Sequence, residues 1–194
     1  MSKSVIIIPS RLSATRLPNK PLIKINNKSL IMHVYEKAIK SKIGEVYVAT
    51  CDKEIALEVK KNRGKFIMTN ASHTNGTERV YEASKKLDLS NFDFIINVQG
   101  DEPMMQPDMI DATIKPMLED EDVKGTILAM EIVSEEQYFD PNTLKIVHNK
   151  KGDILYTSRS PVPYSEQFSP ELRARRIYGI FGFKWFFIPK YPDA

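Results

Sequence analysis

Cysteine is nearly absent from this chain of 194 residues: Cys51 stands alone. That excludes an intrachain disulfide and favours a reducing compartment, the cytoplasm. Long apolar runs are also missing, and none approaches the roughly 18 residues that a membrane helix needs. Met1-Ser2-Lys3-Ser4 leads directly into an apolar stretch, with no secretory signal visible. An excess of one charge is lacking too. The 28 basic and 25 acidic side chains leave a formal net charge of +3, too balanced to point to nucleic acid. Glycine is missing where nucleotide-binding motifs most often need it, since residues 9–21 contain none. This excludes a Walker A loop and a dinucleotide fingerprint at that place. No internal repeat or low-complexity segment is present. The remaining composition, 42% hydrophobic and 27% charged, suits a single globular domain over 1–194 with a sizeable core.

The loop without glycine is the most informative stretch. Val5-Ile6-Ile7-Ile8-Pro9 reads as a buried strand. It is followed by Ser10-Arg11-Leu12-Ser13-Ala14-Thr15-Arg16-Leu17-Pro18-Asn19-Lys20-Pro21. Three cations and three hydroxyls at the carboxyl end of a first strand suit a polyphosphate, because ligands bind at that edge of open α/β sheets. A solvated basic loop is the alternative. Asn19 is the residue best able to take a positive φ there, between Pro18 and Pro21, which stiffen the chain.

Strand and helix patterns alternate over the first two thirds. Residues 24–28 form a turn, Ser29 is a helix N-cap, and the helical face of Leu30, Ile31, Val34, Ala38 and Ile39 ends at Gly44. Strands are expected over 45–50, 65–68, 94–98 and 125–131. Helices are expected over 53–62, 78–87 and 107–118, with a polar loop over 69–77. This indicates an α/β fold with a mostly parallel twisted sheet flanked by helices. The last third differs. Residues 144–148 and 154–157 flank Asn149-Lys150-Lys151-Gly152-Asp153 and read as a hairpin. An irregular, proline-stiffened segment follows at 159–164, and then a strand over 178–183.

Four segments fall at loop ends that could share one cleft: 10–20, 75–79, 99–103 and 158–160. Asp101 follows a buried strand and Gly100, so it could hold Mg2+, an ion that takes oxygen ligands and often bridges substrate phosphates. A turn that uses Gly and Asp for backbone reasons alone is the other option. Arg159 could fork onto a carboxylate or phosphate.

These segments together resemble the 3-deoxy-manno-octulosonate (KDO) cytidylyltransferase family. The resemblance rests on residues 8–22, Val48-Ala49-Thr50-Cys51-Asp52, Gly76-Thr77-Glu78-Arg79, Asn97-Val98-Gln99-Gly100-Asp101-Glu102-Pro103 and Ser158-Arg159-Ser160-Pro161, and it extends over about 5–183. It implies a nucleotide-diphospho-sugar transferase-like fold and transfer of CMP from CTP to KDO, releasing pyrophosphate, for lipopolysaccharide synthesis. By motif match, Arg11 and Lys20 would hold the triphosphate, with Ser10, Ser13 and Thr15 lining the loop. Asn75, Gly76 and Arg79 would belong to the segment that reads the cytosine. Asp101 would bind Mg2+. Gln99 and Arg159 would face KDO, with Arg159 meeting its carboxylate. A homodimer is implied, with the hairpin region 140–178 facing the sugar and the partner.

Three departures from the family pattern carry expectations of their own. Asn19 stands where the family has glycine. Ile177, Phe181 and Phe183 stand where it has histidine and two tyrosines, which suggests a modified KDO or another acidic sugar as acceptor. The family continues beyond the position of Ala194 with a helix and a late aspartate for the metal, so a truncated, non-catalytic nucleotide-binding remnant is a further alternative. Asp193 is not assumed equivalent to that aspartate. His33 and His148 are expected to be structural, His73 peripheral, and Cys51 no nucleophile.

Overall fold

The computed structural model describes residues 4–13, 17–89 and 93–189. Its elements follow the expected alternation. They are β1 (Ser4–Ser10), β2 (Lys24–Ile25), β3 (Lys28–Ser29), α1 (Leu30–Lys40), β4 (Glu45–Thr50), α2 (Lys53–Lys61), β5 (Phe66–Met68), α3 (Gly76–Lys85), β6 (Phe94–Val98), α4 (Pro107–Glu119), β7 (Gly125–Glu131), α5 (Glu135–Phe139), β8 (Lys145–His148), β9 (Ile154–Ser158) and β10 (Arg175–Lys184). The chain forms two compact units, one of Met1–Thr126 with Gly179–Ala194 and one of Ile127–Tyr178.

In the first unit, β5, β4, β1 and β6 lie side by side in parallel, and the second half of β10 joins β6 antiparallel. The centre of this sheet is apolar because it is covered on both faces. Ile6, Ile7, Ile8, Ile95 and Ile96 are completely buried, as central parallel strands require. One cluster joins Val5, Ile7, Val80, Ala83, Ile95 and Phe183, and Phe181, Trp185 and Phe187 pack against it. The Trp185 and Tyr81 ring centroids lie 5.9 Å apart. The terminal aromatics therefore belong to the core.

This placement corrects one expectation. Phe183 is 2% exposed and points into the hydrophobic core with Phe181 beside it, because alternate residues of a strand share one face. The Phe183 ring is a core side chain, so its apolar character gives no ground for an altered sugar wall, whereas Phe181 is only partly buried against that core. Ile177 lies in the second unit, where its amide donates to the Leu144 carbonyl.

Local chemistry explains most element boundaries. Asn75 caps α3 by accepting a hydrogen bond from the Glu78 amide at 2.9 Å. Asn19 adopts a left-handed φ of 59° ahead of the 3-10 turn Lys20–Leu22, as its short amide side chain allows. Ser29 occupies the N-cap of α1 as expected, though without a side-chain capping bond; its hydroxyl donates to Glu58 at 2.8 Å. One boundary differs from expectation. Helix α1 ends at Lys40 rather than Gly44, through Ser41 and a left-handed Lys42. A Cβ on Gly44 would lie 1.9 Å from the Ser4 carbonyl oxygen, so close backbone passage accounts for that glycine.

The second unit contains α5, the β8–β9 hairpin and the first half of β10. Its core is small: Ile132, Tyr138 and Ala174, with Phe168 and Leu172 beside them. The hairpin turn is organised by Asn149, whose Oδ1 accepts from the Lys151 and Asp153 amides. His148 Nδ1 pairs with the Asn149 carbonyl and, in the first unit, His33 Nε2 pairs with the Ile25 carbonyl. Both histidines thus have structural partners. Among the described residues, no helix is long and apolar enough to cross a membrane.

Candidate active site

Register brings the two informative loops together. β1 and β6 run parallel with Ile7 opposite Asn97, so the strands end side by side with Ser10 level with Gly100. A Cβ on Gly100 would lie 3.1 Å from the Pro9 carbonyl oxygen. The glycine thus lets the β1 backbone pass closely.

A cleft of about 240 Å³ opens at this edge. Ser10, Arg11 and Lys20 line it from the first loop, His73, Asn75, Gly76 and Arg79 from the loop into α3, and Gln99, Gly100 and Asp101 from the end of β6. Residues from three distant segments thus share one concavity. Ser13 is exposed and is not among the lining residues. Thr15 and Arg16 lie outside the described residues, as does Asp193. Arg159 belongs to the second unit, where its guanidinium donates to the Pro141 carbonyl at 2.8 Å.

Lys20 and Asp101 form an ion pair at 2.5 Å, with side chains 37% and 50% exposed. The assignment of the lysine to phosphate and the aspartate to a metal treats these groups separately, whereas the fold pairs them. The chemistry is compatible with both. A polyphosphate offers the ammonium a new anion while a divalent cation offers the carboxylate a new cation, so neither charge is left uncompensated. Such an exposed pair contributes little to stability, so exchanging partners costs little. One carboxylate suits an ion that commonly takes only one or two carboxylates together with substrate phosphates. Among the described residues no group of three His, Cys, Asp or Glu side chains could hold a metal by itself.

Ser10 is 7% exposed, and among the described residues its buried Oγ has no hydrogen-bond partner, whereas a buried hydroxyl normally has one. Arg79 is different. It is 2% exposed, and its guanidinium donates to Thr69 Oγ1 at 2.6 Å and to the Asn70 carbonyl at 3.2 Å. Part of its bonding capacity therefore holds the loop rather than a ligand. Gly76 brings α3 close: a Cβ there would meet Pro9 Cγ at 3.2 Å and Gln99 Nε2 at 3.4 Å. Gln99 is fixed by its amide bond to the Gly179 carbonyl at 2.8 Å. A Cβ on Gly179 would lie 2.8 Å from Gln99 Cγ.

Sequence reasoning missed several supports. Asp52, at the end of β4, accepts the Leu12 amide at 2.8 Å and so ties down the first loop. His73 lines the cleft and also pairs through Nε2 with Glu82 Oε2. The spacing of Glu78, Glu82 and Lys86 was a usable signal, since i, i+4 residues share a helix face. What that face meets was not.

The family model described as "Cytidylyltransferase" matches residues 5–192. The chain belongs to the cytidylyltransferase family. It is 42% identical over 191 residues to the 3-deoxy-manno-octulosonate cytidylyltransferase of Thermodesulfovibrio yellowstonii, a match that covers 93% of this chain and 74% of that protein. The corresponding enzyme of Syntrophus aciditrophicus is 39% identical over 189 residues, covering 97% of this chain and 76% of the relative. Among solved structures, a CMP:2-keto-3-deoxy-manno-octonic acid synthetase in complex with CTP superposes with a TM-score of 0.89 at 37% identity, covering 99% of this chain and 78% of that one. A 4-diphosphocytidyl-2C-methyl-D-erythritol synthase from Anaerococcus prevotii, at 14% identity and a TM-score of 0.62, shares the fold. The cytidylyltransferase family thus agrees with the sheet order and with the nucleotidyltransferase chemistry expected of the cleft.

Proposed function

We propose that this cytidylyltransferase transfers CMP from CTP to KDO, giving CMP-KDO and pyrophosphate for lipopolysaccharide synthesis. The observation that carries the reading is the convergence of Ser10, Arg11, Lys20 and Asp101 on one cleft. The relatives' shared activity supplies the substrates. The anomeric hydroxyl of the sugar attacks the α-phosphorus of CTP. A new oxygen–phosphorus bond forms, the hydroxyl proton passes to solvent, the α–β bridge breaks, and pyrophosphate departs with the electron pair. Catalysis is mostly positioning and charge neutralisation.

In this reading Arg11 and Lys20 hold the triphosphate, and Ser10 with the loop residues Ser13 and Thr15 adds hydroxyl donors. Asn75, Gly76 and Arg79 form the base-facing wall. Gln99 and Arg159 orient the acidic sugar. Asp101 holds Mg2+, whose charge offsets that of the phosphates. The cytoplasm suits a chain with a single, half-buried free cysteine. A homodimer using 140–178 is also part of the reading, supported by apolar side chains left exposed on β9, where Ile154, Leu155 and Tyr156 are 43%, 61% and 52% exposed.

The deciding experiment measures pyrophosphate release from CTP with KDO, with and without Mg2+. Release that needs both substrates and the metal supports the reading. A folded protein that binds CTP without turnover, or one that prefers another acidic sugar over KDO, refutes it.

A further inference from the structure

The loop 69–75 carries His73 and Asn75 to the cleft. The Thr69 amide donates to the Thr50 carbonyl of β4 at 2.9 Å, and Asn70 Oδ1 accepts the Ser72 amide at 3.0 Å. The rest of its form is held from α3. Glu78 accepts the Thr74 amide at 2.9 Å and the Asn75 Nδ2 at 2.8 Å. Arg79 holds Thr69 and Asn70. Glu82 makes the widest set of bonds. Its Oε2 accepts the Asn70 amide at 2.8 Å and pairs with His73 Nε2. Its Oε1 accepts Lys86 Nζ at 2.9 Å, and the same ammonium donates to the Met68 carbonyl at 2.6 Å. One carboxylate thus binds the beginning of the loop, its middle and, through Lys86, the strand before it. Glu82 itself does not line the cleft.

We propose that Glu82 is the positioning residue that sets nucleobase discrimination, by holding the loop 69–75 in the form that presents His73 and Asn75 to the base. This rests on the reading of that loop as the base-facing wall. A carboxylate is needed because its oxygens are acceptors only, and Oε2 serves two donors at once. A glutamine of the same size turns one acceptor into a donor. That donor opposes Lys86, or else the Asn70 amide and His73, so the loop loses at least one anchor.

The test compares initial rates of the whole protein with CTP and with UTP, and separately varies KDO at saturating CTP. Glu82→Gln is expected to raise KM for CTP about ten-fold, the effect of roughly one charge-assisted hydrogen bond. The preference for CTP over UTP should fall by a similar factor, with KM for the sugar unchanged. A merely structural Glu82 would lower the melting temperature and leave the CTP to UTP ratio as in the parent, and that result overturns the proposal. Parallel rises in both KM values overturn it as well. Should Glu82→Gln fail to fold, Lys86→Met removes only the outer anchor. A two- to three-fold fall in the ratio is then expected, and an unchanged ratio overturns the proposal. Asn75→Ser keeps a capping oxygen for α3 while removing the amide of a cleft residue, and it sets no second carboxylate beside Glu78. If it shifts the ratio and Glu82→Gln does not, only the positioning role falls. If neither shifts it, the base-facing reading of the loop falls too.

Discussion

The two units hold their functional side chains in different ways. In the first, strands whose isoleucines are completely buried end at one edge, and the cleft residues project from those ends. Placement there is inherited from a deep apolar core. In the second, one small buried cluster joins Ile132, Tyr138 and Ala174, and a lysine takes over part of the work. Lys145 is fully buried. Its Nζ donates to the Asp140 carbonyl at 2.7 Å and the Arg159 carbonyl at 3.3 Å. Burial lowers its pKa, while the Asp140 carboxylate acts the other way. Arg159 in turn donates to Pro141. A small core can still fix a loop when a buried cation links its main-chain carbonyls, because an unsatisfied buried group would be costly.

Several substitutions would break or sharpen this contrast. The largest effect is expected in the deep core. Ile95→Ala should cost about 2–5 kcal/mol, read as a lower denaturation midpoint. Ile132→Ala in the small cluster should cost less, since a thinner core relaxes around the cavity; equal losses would erase the distinction. Next comes the cleft. Lys20→Ala should reduce kcat/KM on the order of 10²-fold, the usual loss when a charge-stabilising donor is removed, with the melting temperature nearly unchanged because the pair is exposed. Arg159→Ala should act on the other substrate, raising KM for the sugar about ten-fold while leaving KM for CTP near its parent value. A change confined to CTP would place the division of labour elsewhere.

A smaller effect comes from acid. Partial burial tends to raise the Glu82 pKa, but the bonds from Lys86, the Asn70 amide and His73 outweigh it and lower the carboxyl from 4.5 to about 2. The folded state therefore favours the ionised form. That stabilisation is complete above about pH 4.5 and is lost as the pH falls towards 2. The stability gap between the parent and Glu82→Gln should be constant near neutrality and narrow below pH 4.5 in denaturation curves. A gap that widens in acid would contradict the assigned direction. The smallest effect is expected on the exposed strand of the second unit. Leu155→Ser should change monomer stability by less than about 0.5 kcal/mol, yet it should weaken self-association measured by sedimentation if 140–178 forms the dimer face.

The parts legible in the sequence were those set by neighbours in the chain. The hairpin around Asn149 and the left-handed Asn19 follow from side chains acting within a few residues; the Asn75 cap, equally local, went unread because the helix was expected to begin at 78. Helix α5 escaped notice because five residues are too few to show a period. Ser29 was legible as the N-cap position of α1, but the partner of its hydroxyl, Glu58, lies 29 residues away. Position 183 looked like part of a changed sugar wall until the fold set it in the core.

By itself the sequence determined the α/β alternation, the absence of a glycine phosphate loop and the membership of Arg11, Lys20, Gln99 and Asp101 in polar loops after buried strands. Those are consequences of periodicity and of backbone preference, which act over short distances. Only the tertiary structure decided that Lys20 and Asp101, 81 residues apart, meet as a pair. It also decided that Glu82 holds the loop 69–75 and that the glycine-free first loop is tied down by Asp52. The physical reason is the strand order. β1 lies between β4 and β6, which sets the ends of three strands beside one another, and no local pattern in the chain encodes which strand will be its neighbour.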